Sequence, residues 1–260
     1  MPSRPANSGL LLVFIFICSL WPTPMKDCNA QDQPPLEPAP AAFRVETDVY
    51  LGSRKEPAQQ SLTLFSGGVA YDISFDDPNQ ITLIDVTRER IVLLNKQART
   101  QAIIDLRELQ QYIESARKQA ETSQLAPYLR GADQIDLNNN MVQVGDAVLR
   151  YQATLQAPRE EQMAQQYARV ADALSLLNGW RSGVPPFARL SLNRVVAEQK
   201  SLPQEITRTT SGNNQTEVVR CRLHANWRLS KDDEKRVSEI GTMLVSFQTV
   251  SPPEFFAALK

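Results

Sequence analysis

The apolar residues of this chain change their spacing along its length, and that change constrains the fold more than any single motif. From Phe43 they fall at every second position: Phe43, Val45, Val49 and Leu51 alternate with Arg44, Glu46, Asp48 and Tyr50. A period of two predicts a strand with one buried face. Leu62, Leu64 and Phe65 predict a second strand, Gly67-Gly68 a turn, and Val69, Tyr71, Ile73 and Phe75 a third strand. Asp76-Asp77-Pro78-Asn79 is a turn cluster, and two further strands, Ile81 to Val86 and Ile91 to Leu94, flank the polar turn Thr87-Arg88-Glu89-Arg90. Five strands with such short connections predict an antiparallel meander.

The spacing then becomes helical. Leu106, Leu109, Ile113, Ala116 and Ala120 predict a helix from about Asp105 to Ser123. Ile135 to Leu137 and Met141 to Val144 flank the hairpin turn Asn138-Asn139-Asn140, and Leu149, Tyr151, Ala153 and Leu155 mark another strand. A second helix is predicted after Pro158, with Glu160 and Glu161 at its amino end and Asn178-Gly179 as its left-handed stop. Its face carries Met163, Tyr167, Val170, Ala171, Leu174 and Leu177. Leu190 and Leu192 predict the start of a strand, Ile206 lies in another, and Gly212-Asn213-Asn214-Gln215 turns the chain. Val219 to Leu229 is the longest alternating run, and Ser230 with Asp233 matches a capping box. The helix it opens presents Val237, Ile240, Leu244 and Phe247, and Phe255 and Phe256 dock the tail. About ten strands and three one-faced helices predict an α+β fold, a curved antiparallel sheet (half-barrel) covered by the helices.

The first thirty residues predict export instead of structure. Leu10 to Trp21 is an unbroken apolar run of the length of a signal h-region, too short for a membrane anchor, and Cys28-Asn29-Ala30 offers a cleavage site. Residues 31–42, QDQPPLEPAPAA, form a Pro-rich tether, and 43–260 a single domain. The expected location is the periplasm or the extracellular space. Cleavage after Ala30 removes Cys18 and Cys28 and leaves Cys221 alone, whereas cleavage before Cys28 opens the way to a Cys28–Cys221 pair.

The motif search returns mainly exclusions. Lys+Arg 28 against Asp+Glu 29 gives a net charge of −1, which argues against nucleic acid as a partner. The sequence holds no G-x-G-x-x-G, Walker loop or G-x-S-x-G, and one His. No cofactor, metal or catalytic residue is assigned, and no membrane segment is expected after the leader. His224 reads as surface-facing and Cys221 as a small buried hydrophobe. Arg220, Arg222 and Arg228 form a basic stripe, either a face for an anion or partner or a solvated outer face. Asn214-Gln215-Thr216 matches a glycosylation sequon.

The segment Leu62 to Phe75, then Ile81 to Leu94, then the helix from Asp105, resembles the central meander of the periplasmic lipoprotein-localisation factors and of related outer-membrane stress sensors. Leu202-Pro203-Gln204-Glu205-Ile206 is similar to a late segment of that superfamily. The resemblance spans about Phe43 to Val250, although this chain enters its first strand straight from the tether and carries a longer tail. It implies a half-barrel whose inner face holds an acyl chain or another hydrophobic ligand. The expected function is therefore an exported, non-catalytic protein binding a hydrophobic small molecule, a lipid or a lipoprotein acyl chain. Val45, Val49, Leu62, Leu64, Tyr71, Ile73, Leu149, Tyr151, Leu223 and Trp227 would line its cavity. The alternative is a structural or protein-interaction domain of the cell envelope, using sheet edges or the Arg220/Arg222/Arg228 face. A third reading, an acid-based hydrolase, needs converging carboxylates.

Overall fold

The meander has six strands, β1 (Phe43–Leu51), β2 (Gln59–Ser66), β3 (Val69–Ser74), β4 (Gln80–Asp85), β5 (Arg90–Asn95) and β6 (Thr100–Asp105). The structure is a computed structural model that describes residues 40–259 apart from 124, 125, 127, 128, 130, 184, 213 and 214. The predicted leader, the tether as far as residue 39, and Asn213 and Asn214 of the predicted turn, the second being the Asn of the sequon, lie outside the described residues. Ala41, assigned to the tether, is already buried in the core.

After β6 come α1 (Leu106–Ala120), a short 3-10 turn at Gly131–Asp133, β7 (Ile135–Asn138), β8 (Met141–Gly145) and β9 (Leu149–Gln156). Two helices follow, α2 (Glu161–Ser182) and α3 (Phe187–Glu198), then the long hairpin β10 (Leu202–Gly212) and β11 (Gln215–Asn226). The chain closes with α4 (Lys231–Ser246), β12 (Gln248–Thr249) and α5 (Pro252–Ala257).

The twelve strands of the described residues belong to one sheet, in the order β12-β6-β5-β4-β3-β2-β1-β11-β10-β9-β8-β7. The fold is mixed α+β, and the sheet is not closed into a barrel, since β12 and β7 stand at its two ends. Its pairings are antiparallel except where the two residues of β12 lie parallel to β6.

Three expectations need correction. Leu190 and Leu192 belong to the helix α3, where buried Phe187, Ala188, Leu192, Val195 and Val196 follow helical spacing. The alternation of two leucines was too short to distinguish the periods. Asn178-Gly179 does not end α2, which runs on to Ser182 and takes its left-handed cap at Gly183 (φ 70). Gly179 serves close packing instead: a Cβ there would lie 3.1 Å from Pro186 Cδ and 3.2 Å from Ile113 Cδ1. The third concerns the helices, which number five among the described residues and do not all cover one face.

Helices α1, α2 and α3 share a large cluster with Phe43, Val45, Phe65, Ile84, Ile91, Leu93 and Ile104 on what we term the inner face. The tail joins this side, with Phe255 buried and Phe256 5.7 Å from Trp180 between ring centroids. Helix α4 packs on the opposite, outer face, placing Ile240, Met243, Leu244 and Phe247 against Ile81, Leu83, Val92 and Leu94. The Ser230–Asp233 capping box opens it as expected. Its amino end is fastened to β1 by Arg44 Nη1, 3.1 and 3.0 Å from the two carboxylate oxygens of buried Asp233. A sheet covered on both faces explains why Leu62, Thr63, Leu64 and Phe65 are all buried.

Candidate functional site

The register separates the residues predicted to line one cavity into two groups. On β1, Val45 pairs with Thr63 and Phe43 with Phe65, so inward positions of β2 are Thr63 and Phe65. Leu62 and Leu64 pair with Glu46 and Arg44, then with Ile73 and Tyr71 on β3. Residues directly opposite in an antiparallel pair share a face. Leu62, Leu64, Tyr71 and Ile73 therefore lie on the outer face, where Tyr71 and Ile73 pack in the cluster under α4.

Val45, Val49, Leu149, Tyr151 and Leu223 lie on the inner face, following the registers Val45↔Ala225, Val49↔Cys221 and Arg208↔Tyr151. Trp227 falls just beyond β11 and packs on the same side, 6.4 Å from Phe43 between ring centroids. Val45 and Leu149 are sealed in the core, whereas Tyr151 and Leu223 border an internal space.

That space is a cavity of about 530 Å³ between the inner face and helix α2, with the start of α3 at its side. Its volume is within the about 300–1,000 Å³ common for small-molecule sites. Phe65, Ile206, Cys221 and Leu223 line the sheet side, and Tyr167, Val170, Ala171 and Leu174 the helix side. Exposed Gln59 and Ser182 also border it, so it reaches the surface near the start of β2 and the end of α2.

The polar lining is what sequence reasoning missed. Thr47, Ser61, Thr63 and Asp72 come from β1 to β3, Arg208 from β10 and Arg189 from α3. A signal existed: Thr47 and Thr63 sit at inward positions where the alternation calls for large apolar residues. Thr63 donates a 2.7 Å hydrogen bond to Asp72. Burial raises the pKa of Asp72, and the Thr63 hydrogen bond offsets part of that. Burial also pushes the Tyr167 hydroxyl up, while the positive charge of Arg189 pulls it down. Arg189 is held from α3 itself, where its Nε donates to Asn193 Oδ1 at 2.9 Å, and Asn193 donates to Asp172 at 2.8 Å. The Cys221 thiol is half-buried and raised by burial, with the positive charges of Arg189 and Arg208 acting in the other direction. Such a thiol is a poor nucleophile at neutral pH.

The basic stripe is placed on the outer face. Arg220 and Arg222 both stack on Tyr50, 5.0 and 5.5 Å from its ring centroid, and Arg222 pairs with Glu205 at 2.9 Å. Arg228 is exposed past the end of β11 and does not continue the strand pattern. His224 is exposed, as expected, 3.4 Å from Asp48. Among the described residues no helix is long and apolar enough to cross a membrane. In comparison with known proteins, the chain matches no family model and no curated protein.

Proposed function

We propose that this protein is an exported, non-catalytic carrier or receptor for a hydrophobic or lipid-like ligand, similar in kind to the lipoprotein-localisation factors. The observation that carries this reading is the cavity between the inner face and α2, with apolar walls from both and an opening near Gln59 and Ser182. A half-barrel curvature of the sheet belongs to the same reading, since a sheet bowed away from α2 leaves room for a chain. Export to the periplasm or beyond follows from the leader. The ligand enters by the open end and lies between Leu223 on the sheet and Leu174 on α2.

The test uses delipidated protein, a fluorescent fatty-acid analogue and a thermal melt with lipid extract. A ligand at a hundred times its Kd stabilises the folded state by about 2.7 kcal/mol. For a domain of this length that raises Tm by roughly 5–10 °C. Absence of both fluorescence binding and a rise in Tm would overturn the proposal.

A further inference from the structure

Resting on the ligand reading above, the geometry points to an amphiphile with an anionic head, held by Arg189 and Arg208, as the occupant of the cavity. Two guanidinium groups border a space whose other walls are largely apolar, and both lie close enough to Cys221 to act on the same thiol. A neutral hydrophobic ligand has no use for two cations at the wall of its site.

Each guanidinium is held through one nitrogen. Arg208 pairs through Nη2 with Glu217 at 3.1 Å, while its Nε is buried and meets no acceptor among the described residues. Of the side-chain atoms in that state, it is the one that borders this cavity. Arg189 uses Nε for Asn193, and its side chain also borders the cavity beside Tyr167. Asp72 is the sole acidic side chain of the described lining, and it accepts from Thr63. Guanidinium donors match the oxygens of a carboxylate or a phosphate monoester, and charge-assisted hydrogen bonds of this kind are about twice as strong as neutral ones. The apolar chain would then lie against Phe65, Val170, Leu174 and Leu223, which line the same space.

The experiment titrates delipidated full-length protein with hexadecanoate, monohexadecyl phosphate and hexadecanol, three ligands with the same chain and different heads. At least one of the two anions is expected to bind on the order of ten- to a hundredfold more tightly than the alcohol. The anion that gains most identifies the head as carboxylate or phosphate. In Arg189→Gln and Arg208→Gln that advantage falls toward unity while hexadecanol binding is retained, which shows that the cavity is intact. Arg208→Lys, which keeps the charge and loses the fork, retains part of the advantage. Equal binding of all three ligands by the unsubstituted protein overturns the anionic head and leaves the carrier reading standing. An advantage that survives both Gln variants overturns the assignment to these arginines. Binding of none of the three overturns both readings together.

Discussion

Replacing Ala171 by Leu distinguishes a cavity from a packed core by the sign of one number. Ala171 lies on α2 with its side chain bordering the space opposite the sheet. Leucine adds three carbons, each contributing about 0.8 kcal/mol when buried. Fixing the longer side chain costs about 0.5–1 kcal/mol of rotamer freedom. The ligand-free protein is therefore stabilised by roughly 1.5 kcal/mol, a rise in Tm of about 3–6 °C for a domain of this length. Ala173, two residues along the same helix, is buried at 2% exposure in the core and does not border the cavity. Ala173→Leu forces methyl groups into filled space and destabilises by about 1–3 kcal/mol. Urea and thermal unfolding of both delipidated variants, beside the unsubstituted protein, give the comparison. A loss of stability in Ala171→Leu equal to that of Ala173→Leu would refute the cavity, and the ligand reading with it.

Two further substitutions probe the buried charges. Asp233→Ala removes the capping box of α4 and the partner of Arg44, and is expected to destabilise by about 3 kcal/mol in urea unfolding at neutral pH. Burial tends to raise the Asp233 pKa, but the Ser230 hydrogen bonds and Arg44 outweigh it and hold the carboxyl below its ordinary value. Its stabilisation is thus complete above the unfolded-state pKa and is lost as the pH falls through the folded-state pKa, so the gap between protein and variant closes in acid. Asp72 behaves oppositely, because burial raises its pKa. The folded state then holds that proton more tightly, and stability falls as the pH rises from the unfolded-state pKa to the folded-state one. Asp72→Asn, which still accepts from Thr63, is expected to be more stable than the parent at neutral pH and indistinguishable below the carboxylate range. A variant that is less stable at neutral pH would refute this account of Asp72.

The strands were legible because strand period and turn chemistry are local. The meander from Phe43, the 135–145 hairpin, the capping box at Ser230 and the docked Phe255 all appear where local pattern placed them. The sixth strand, Thr100–Asp105, has no separate signal because Asp105 ends it and at once caps α1, accepting from Arg107 N at 2.7 Å. Face assignment was not local. Leu62 and Leu64 carry the same apolar label as Phe65, and only pairing with β1 shows that they turn to α4 while Phe65 turns to α2. The spacing along α2 marks one apolar face, yet Ala164, Ala173 and Leu176 are buried as well, since it lies between the sheet and its neighbouring helices. The cavity residues were hidden for a related reason. Asp72 alternates with the apolar residues of β3 as an outward polar position, and only the register sets it beside Thr63 and Thr47 on the inner side.

The size of the space and the character of its lining support each other. A dry void in a core costs about 24 cal/mol per Å³, so the roughly 530 Å³ here would cost more than 10 kcal/mol, close to the whole stability of a typical domain of about 5–15 kcal/mol. No such domain can keep that space dry. Thr47, Ser61, Thr63 and Ser175 border it with hydroxyl groups that can hold water, which makes a ligand-free state affordable. Water held against Phe65, Val170, Leu174 and Leu223 is poorly satisfied on that side, so an apolar chain displaces it with gain while polar groups elsewhere remain wet or meet a head group. The outer face meanwhile supplies a second closed cluster under α4, anchored through Arg44 and Asp233, whose packing does not depend on what occupies the inner side. A sheet stabilised from behind can leave its front incompletely filled, and that division of labour is what allows one domain to be both stable and receptive.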